Sequence, residues 1–383
     1  MSPFARLIYH PSDDPLLTYL NDDGQSIEPE WYLPIVPMLL INGGEGIGTG
    51  WSTSLPNYNP RDIVANIYKL MNEEALEPMH PWYRGFKGTI VQENASRYRV
   101  SGIINKIDST TIEITELPLK IWTQTYKEQL ELWIAGSDKQ PAWIKDYREY
   151  HTDSKVHFVI TLTEESMKAA EKEGLEQKFK LVSTLSTSNI VNFDLEGRIR
   201  KYADVNEIMH HFFDLRKEYY MKRKEQMLGQ LTFELTRLEN KVRFVMEIIG
   251  GQLKVQNRKK KELLGELKAR KYAPITKNSV QDDVQNEEEK EIETHGYDYL
   301  LSMPIWSLTN EKVESLTSEK VQKETQVQLL IGKTPLDLWR TDLDAFMEKW
   351  TVFIFVIVGI RISHGRPGIS RAGPESGYGQ EEC

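Results

Sequence analysis

Residues Pro29 to Ser52 read PEWYLPIVPMLLINGGEGIGTGWS, a loop-rich stretch that is the most informative in the chain. Pro29, Pro34 and Pro37 flank short apolar pairs, and five glycines then fall between Gly43 and Gly50. Glycine adds no side chain and tolerates positive φ, so such a cluster lets the backbone come close to something else. A nucleotide-phosphate loop is excluded, because no Lys-Ser or Lys-Thr closes the cluster and no βαβ unit with an acidic partner follows it. On its residues alone, Ile47 between Gly46 and Gly48 reads as a buried anchor, the usual fate of an isoleucine.

Outward from this segment the periodicity changes twice. Asn59 to Asn72 reads as a helix with Ile63, Ile67 and Leu70 on one face. After Pro81 the period becomes two: Gly88 to Val91, Tyr98 to Ile103, Thr111 to Thr115 and Val156 to Thr163 are rich in β-branched and aromatic residues. A helix from Thr123 to Ile134 is inserted among these strands. The fold class is α+β.

Asp204 with Glu207 three residues on is a capping signature, and it opens the longest periodic segment in the chain. Leu228, Leu231, Leu235, Leu238, Val242, Val245 and Ile249 alternate in steps of three and four, a heptad stripe that Gly250-Gly251 ends. A helix from Val205 to Ile249 would be roughly 65 to 70 Å long, too long for one small core to cover. Its partner is expected in Thr309 to Leu330, returning antiparallel, with Thr334-Pro335 starting a further helix.

The chain has 383 residues, 39% hydrophobic and 27% charged, enough for two or three folded domains. Its net charge of -9 argues at first against a nucleic-acid partner. Between Gln281 and Thr294, however, seven acidic residues stand against Lys290 alone, so most of the excess is one loop and a basic groove elsewhere is allowed. Asp13-Asp14 and Asp22-Asp23 read as solvated charge, and adjacent His210 and His211 diverge on a helix, so no metal site is expected. The single cysteine, Cys383, permits no intrachain disulfide, and the apolar run Val352 to Ile360 is too short to span a membrane.

The segment PEWYLPIVPMLLINGGEGIGTGWS, together with DYREYHTD (Asp146 to Asp153), FKLVSTL (Phe179 to Leu185) and DLWRTDL (Asp337 to Leu343), closely resembles eukaryotic type II DNA topoisomerases. The resemblance runs from Ser2 to Met347. It implies the end of a winged-helix DNA-gate region at 1–58, an α/β tower domain at 59–203, and a coiled-coil arm with a helical exit-gate tip at 204–349. The tip would lie near 258–302 and the acidic loop at 281–294. It further implies that Ile47 is a wedge inserted between base steps, unstacking one and bending the duplex. Trp122 would lie against the DNA backbone, with Lys120 and Lys127 as nearby phosphate contacts. The stretch Leu181, Val182, Ser183, Thr184, Leu185, Ser186, Thr187, Ser188, Asn189 and Ile190 would face DNA, gripping phosphates through hydroxyl and backbone N–H groups. Without the resemblance, Trp122 is a half-buried strand-end aromatic and 181–190 a serine-rich edge strand.

The family's cleaving tyrosine aligns just upstream of Met1, and Tyr9 is expected only to pack. No catalytic residue and no metal ligand is therefore expected in this chain, nor independent cleavage. Mg²⁺ and ATP are implied for the full enzyme, with nuclear localisation, duplex DNA as partner and homodimerisation through the tip. From Trp350 the sequence TVFIFVIVGIRISHGRPGISRAGPESGYGQEEC departs from the family, so 350–383 is expected to be a divergent, disordered tail from an alternative or aberrant transcript end. Transcript sequencing that showed an ordinary shared exon boundary there would refute this origin. The alternative readings are a non-catalytic coiled-coil interaction protein acting dominantly on the full enzyme, and a structural coiled coil with no DNA role.

Overall fold

Period-two and period-3.6 patterns alternate along this chain, and in the computed structural model they fold as a mixed α+β structure. The structure describes residues 1–136, 141–152, 154–255, 258–275, 295–304 and 309–357. They divide into two units. The first is Met1–Trp82, Thr89–Ser101 and Val182–Leu343; the second is Tyr83–Gly88, Gly102–Leu181 and the chain from Asp344.

The first unit opens with α1 (Ala5–Ile8), a 3-10 turn over Pro11–Leu16 and an antiparallel hairpin of β1 (Tyr19–Asp22) and β2 (Gln25–Pro29). Asp23 and Gly24 turn that hairpin with positive φ, as a two-residue loop between right-twisted strands requires. Next come α2 (Met38–Asn42), the paired strands β3 (Gly44–Ile47) and β4 (Ser52–Leu55), and α3 (Pro60–Met71). The helix read at Asn59 to Asn72 is thus present: Asn59 accepts the Arg61 N–H at 3.0 Å, and Pro60 takes the first position, where its missing N–H costs nothing. Strands β5 (Thr89–Asn94) and β6 (Arg97–Ser101) join the later β11 (Val182–Ser186) in an antiparallel sheet of order β11-β6-β5. A separate pair is formed by β12 (Ile190–Phe193) and β13 (Ile199–Tyr202).

The long helix α7 runs from Val205 to Ile249, 45 residues. Asp204 caps it by accepting the Glu207 N–H at 2.9 Å, while the Glu207 carboxylate reaches back to the Ala203 N–H at 2.7 Å. That backbone bond holds the Glu207 carboxyl below its usual pKa. Helix α10 (Asn310–Gly332) packs on α7. The run is antiparallel: Lys320 pairs with Glu239 at 3.2 Å and Lys323 with Glu234 at 2.7 Å, while Lys224 donates to the Lys333 carbonyl at 2.6 Å. Beyond α7, α8 (Lys260–Ala269) and α9 (Asp298–Leu301) gather Phe244, Leu253, Leu263, Leu267, Tyr272 and Leu300 into a small core. The expected acidic loop at 281–294 lies outside the described residues.

At the other end of α7 the diagnostic N-terminal segment meets the start of α11 (Pro335–Ile357). Trp339 is fully buried, stacks on Tyr220 at 5.3 Å and donates its indole N–H to the Ile35 carbonyl at 2.9 Å. Beside it sits a buried ionic cluster. Asp13 accepts from Arg216 at 2.7 Å and from Arg223 Nε at 2.6 Å, and Asp342 accepts from Arg223 and, at 2.7 Å, from the Tyr220 hydroxyl. This corrects the reading of Asp13-Asp14 as a solvated pair: Asp14 is half-exposed on Arg6, but Asp13 is buried because two arginines about two turns apart on α7 converge on it.

In the second unit β7 (Ile103–Lys106), β8 (Thr111–Glu116), β9 (Ile144–Glu149) and β10 (Phe158–Leu162) form an antiparallel sheet of order β7-β8-β10-β9. Alternation sends Ile112, Ile114, Phe158, Ile160 and Leu162 inward, against Tyr126, Leu130 and Trp133 of α4 (Thr123–Ala135) and Met167 and Ala170 of α5 (Glu164–Glu173). The short α6 (Leu175–Lys178) follows. The single strand expected over Tyr98 to Ile103 is in fact two, broken at Gly102, where a Cβ would lie 2.4 Å from the Glu116 carbonyl oxygen. Helix α11 continues to Ile357, past Trp350 where the tail was expected to begin. No proline or glycine interrupts it there, and Thr351 returns its hydroxyl to the Met347 carbonyl at 2.9 Å. The rest of the expected tail lies outside the described residues. Among the described residues no helix is long and apolar enough to cross a membrane.

Candidate nucleic-acid interface

The glycine-rich segment becomes a hairpin on a braced base. Gly43 has φ +65°, and a Cβ there would lie 2.7 Å from both Asn57 Oδ1 and the Leu55 carbonyl, so only glycine fits. Asn57 in turn donates to the Ile41 carbonyl at 3.1 Å, and the Tyr58 N–H to the Leu40 carbonyl at 2.8 Å. From this base β3 and β4 pair in register from Gly44–Leu55 to Ile47–Ser52, and the Gly48 N–H closes the turn on the Trp51 carbonyl at 2.8 Å. Ile47, at the end of the ladder, is 93% exposed. The buried-anchor reading of Ile47 is therefore not realised in this chain. Gly44 and Gly46 have open space where a Cβ would be and no positive φ, so nothing within the chain requires glycine at either position.

The stretch 181–190 serves several structural ends. Leu181 is buried in the core of the second unit, and its carbonyl accepts the Gly102 N–H at 2.9 Å. Leu185 and Ile190 are also buried, so their side chains hold the backbone and are not presented to a ligand. Thr184, Ser186 and Ser188 are exposed, Val182, Ser183, Thr187 and Asn189 intermediate. The Ser186 and Ser188 hydroxyls bond each other at 2.9 Å, and the Thr187 N–H donates to the Ser96 carbonyl at 2.9 Å.

This stretch is joined directly to the hairpin. The Asn189 carbonyl accepts the Ser54 N–H at 2.8 Å, the Asn189 side chain donates to Ser52 Oγ at 2.8 Å and to the Ser52 carbonyl at 3.1 Å, and the Val191 N–H donates to Thr53 Oγ1 at 3.1 Å. Two segments read separately in the sequence are thus hydrogen-bonded to each other. The roles of Ser52 and Thr53 escape sequence reading, since no local pattern signals a partner so far along the chain.

Trp122 lies in the second unit, at the N-cap position of α4, with extended backbone and 79% exposure. The half-buried alternative is excluded. Lys127 is engaged with Glu149 at 2.8 Å, and this hydrogen bond raises its pKa, so it is already neutralised in part. Tyr9 packs edge-on against Tyr32 at 5.7 Å between ring centroids, in keeping with a packing role, and burial pushes its hydroxyl pKa up. Among the described residues no group of three or more His, Cys, Asp or Glu could hold a metal ion.

The site thus consists of an exposed apolar residue at the end of a hairpin, beside a strand end rich in hydroxyls, in a mixed α+β chain. The profile of the DNA gyrase/topoisomerase IV family, that of the A-type subunit, matches residues 1–344, and the chain belongs to that family. It is 47% identical over 360 residues to DNA topoisomerase 2 of Penicillium chrysogenum, covering 91% of this chain and 23% of that protein. To DNA topoisomerase 2-alpha of Sus scrofa it is 46% identical over 368 residues, covering 91% of this chain and 24% of that protein. The crystal structure of the Plasmodium falciparum topoisomerase II DNA-binding, cleavage and re-ligation domain superimposes with a TM-score of 0.81 at 40% identity, covering 93% of this chain and 49% of that one. The chain therefore spans about a quarter of the length of the Penicillium and Sus relatives.

Proposed function

We propose that this chain is the DNA-gripping and dimerising part of an ATP-dependent type II DNA topoisomerase, an isomerase of nuclear DNA that acts by transient double-strand breakage and strand passage. The observation that carries the reading is Ile47, 93% exposed on a hairpin fixed to Asn189. Leaving an isoleucine in water on a rigid support forgoes roughly 1.5 to 3 kcal/mol of burial, which a duplex recovers for it when the side chain enters a base step. The open space beside Gly44 and Gly46 supports the same reading, because it leaves room for another molecule's backbone. Thr184, Ser186, Thr187 and Ser188 supply hydroxyl and N–H donors to phosphate, and Trp122 supplies an exposed aromatic face to the DNA backbone. Val182 and Ser183 begin the strand that leads to these donors and Asn189 follows it, the segment being held in place by Leu181, Leu185 and Ile190.

In this proposal 1–58 ends the DNA-gate region, 59–203 is the tower, and 204–349 is the coiled-coil arm whose tip meets a second copy. Mg²⁺ and ATP belong to the chemistry of the whole enzyme, and the described residues offer no cluster suited to the metal. The role derived for these residues is to hold and bend.

Fluorescence anisotropy with a nicked duplex across a salt series, comparing the parent chain with Ile47→Ala, tests the reading. Salt-dependent binding that Ile47→Ala weakens is the expected result. No binding at low salt, or binding indifferent to both Ile47→Ala and Trp122→Ala, would instead favour a coiled coil without a DNA role.

A further inference from the structure

The outward face of the sheet β11-β6-β5 carries two arginines that no motif of the family-like segments includes. In register, Thr184 stands opposite Arg99 and Ser186 opposite Arg97, while Leu185 stands opposite Tyr98. Directly opposed residues of an antiparallel pair share a face, so the burial of Leu185, Tyr98 and Val100 turns Arg97, Arg99, Thr184 and Ser186 to the other side. Arg97 is exposed and makes no ion pair among the described residues. On the third strand Val91 stands opposite Arg99 and Asn94 opposite Arg97, and the register slips between Gln92 and Asn94, setting Glu93 apart as the bulged residue.

We propose that Arg97 and Arg99, with Thr184 and Ser186, form a second phosphate-gripping surface for duplex DNA, additional to the Ile47 hairpin. The inference rests on the DNA-binding reading above and extends it to residues outside the 181–190 stretch. Alternate residues of a strand are about 6.8 Å apart, and a DNA strand carries one charge per about 3.4 Å of helix axis, so the two guanidinium groups match a short run of backbone phosphates. The exposed Arg97 fork can hold two phosphate oxygens, whereas Arg99, half-buried with its Nε out of solvent, adds charge beside it, and the hydroxyl directly across from each, with Cβ atoms about 5 Å apart, can donate to the same group. The surface reads charge and spacing, not base sequence. It is also set relative to the wedge: three residues after Ser186, Asn189 is bonded to Ser52 at 2.8 Å, so β11 leads directly into the clamp on the hairpin.

The test is the salt dependence of binding to a nicked duplex by the whole chain, with Arg97→Gln, Arg97→Gln/Arg99→Gln and Ile47→Ala in parallel. Removing one phosphate-binding cation should lower the magnitude of the slope of log K against log salt by about 0.9. The expected result is a fall of about 0.9 for Arg97→Gln and a further, smaller fall for the double variant, because Arg99 is half-buried, while Ile47→Ala weakens binding with its slope unchanged. Arg97 is exposed, so the single variant keeps the test valid should the double variant fail to fold. Slopes unchanged in both arginine variants, with Ile47→Ala still weakening binding, would overturn this surface and leave the wedge intact. Failure of the parent chain to bind would overturn the underlying reading and this inference with it.

Discussion

Asn189 donates its side-chain amide to Ser52 Oγ at 2.8 Å, across 137 positions of sequence, and so fixes a strand end to the hairpin that presents Ile47. A neutral hydrogen bond of this kind contributes about 0.5 to 1.5 kcal/mol, and Asn189 makes two through its side chain. Asn189→Ala should leave global unfolding within about 1 to 3 kcal/mol of the parent. It should nevertheless weaken DNA binding toward the level of Ile47→Ala, because a wedge on a loosened hairpin must be ordered before it can insert. Denaturant titration and anisotropy on the same preparation separate the two effects.

Gly43 and Gly46 belong to one cluster but answer to different constraints. At Gly43 a Cβ would meet two oxygens at 2.7 Å with φ at +65°, so Gly43→Ala should destabilise the chain by at least about 1 kcal/mol and lower its melting temperature. At Gly46 nothing lies within 4 Å and φ is ordinary, so Gly46→Ala should be neutral or slightly stabilising. If the space beside Gly46 is kept for DNA, the same variant should bind the nicked duplex less tightly. Equal effects of both variants on stability would contradict this difference between the two positions.

Asp13 is held between Arg216 and Arg223, all three buried at the root of α7. Asp13→Ala would leave two guanidinium groups out of water without their shared counter-charge, a loss of about 3 to 5 kcal/mol. Asp342 would keep only one of them, through Arg223. The expected outcome is a large fall in the urea midpoint, with secondary structure by circular dichroism retained at low denaturant. An Asp13→Ala chain as stable as the parent would show that the cluster costs as much in desolvation as it returns.

The elements legible in the sequence were those with a local cause. Helix α7 declared itself through Asp204, Glu207 and a heptad stripe, and α3 through Asn59-Pro60. Features set by distant contacts were not legible. An isoleucine between glycines looks like core until the pairing of β3 with β4 is seen to leave Ile47 at the end of the ladder, 93% exposed. Asp13 looks like surface until two arginines more than 200 positions away are brought onto it. The break at Gly102 escaped because a strand-like run and a close approach to the Glu116 carbonyl look the same in sequence. The alternation of Arg97 and Arg99 with Tyr98 and Val100 was present in the sequence, but its meaning depended on the identity of the paired strand.

His10 borders the same ionic cluster and gives it a dependence on pH. Burial pushes its pKa below the usual 6.5; Asp342, 3.8 Å from Nε2, and Asp13 work against this, while Arg223 and Arg216 add to the lowering. Nδ1 accepts the Ser12 N–H at 3.2 Å, a bond that only the form unprotonated at Nδ1 can make. With the folded pKa below the unfolded one, the unfolded chain binds more protons in the interval between them, so stability declines as pH falls through about 6.5. His10→Asn retains an acceptor for the Ser12 N–H and removes the titration. Urea unfolding at pH 7.5 and pH 5.5 should therefore show a larger loss of stability for the parent than for His10→Asn, with the remaining histidines common to both. An equal loss in the two proteins would place the acid sensitivity elsewhere in the chain.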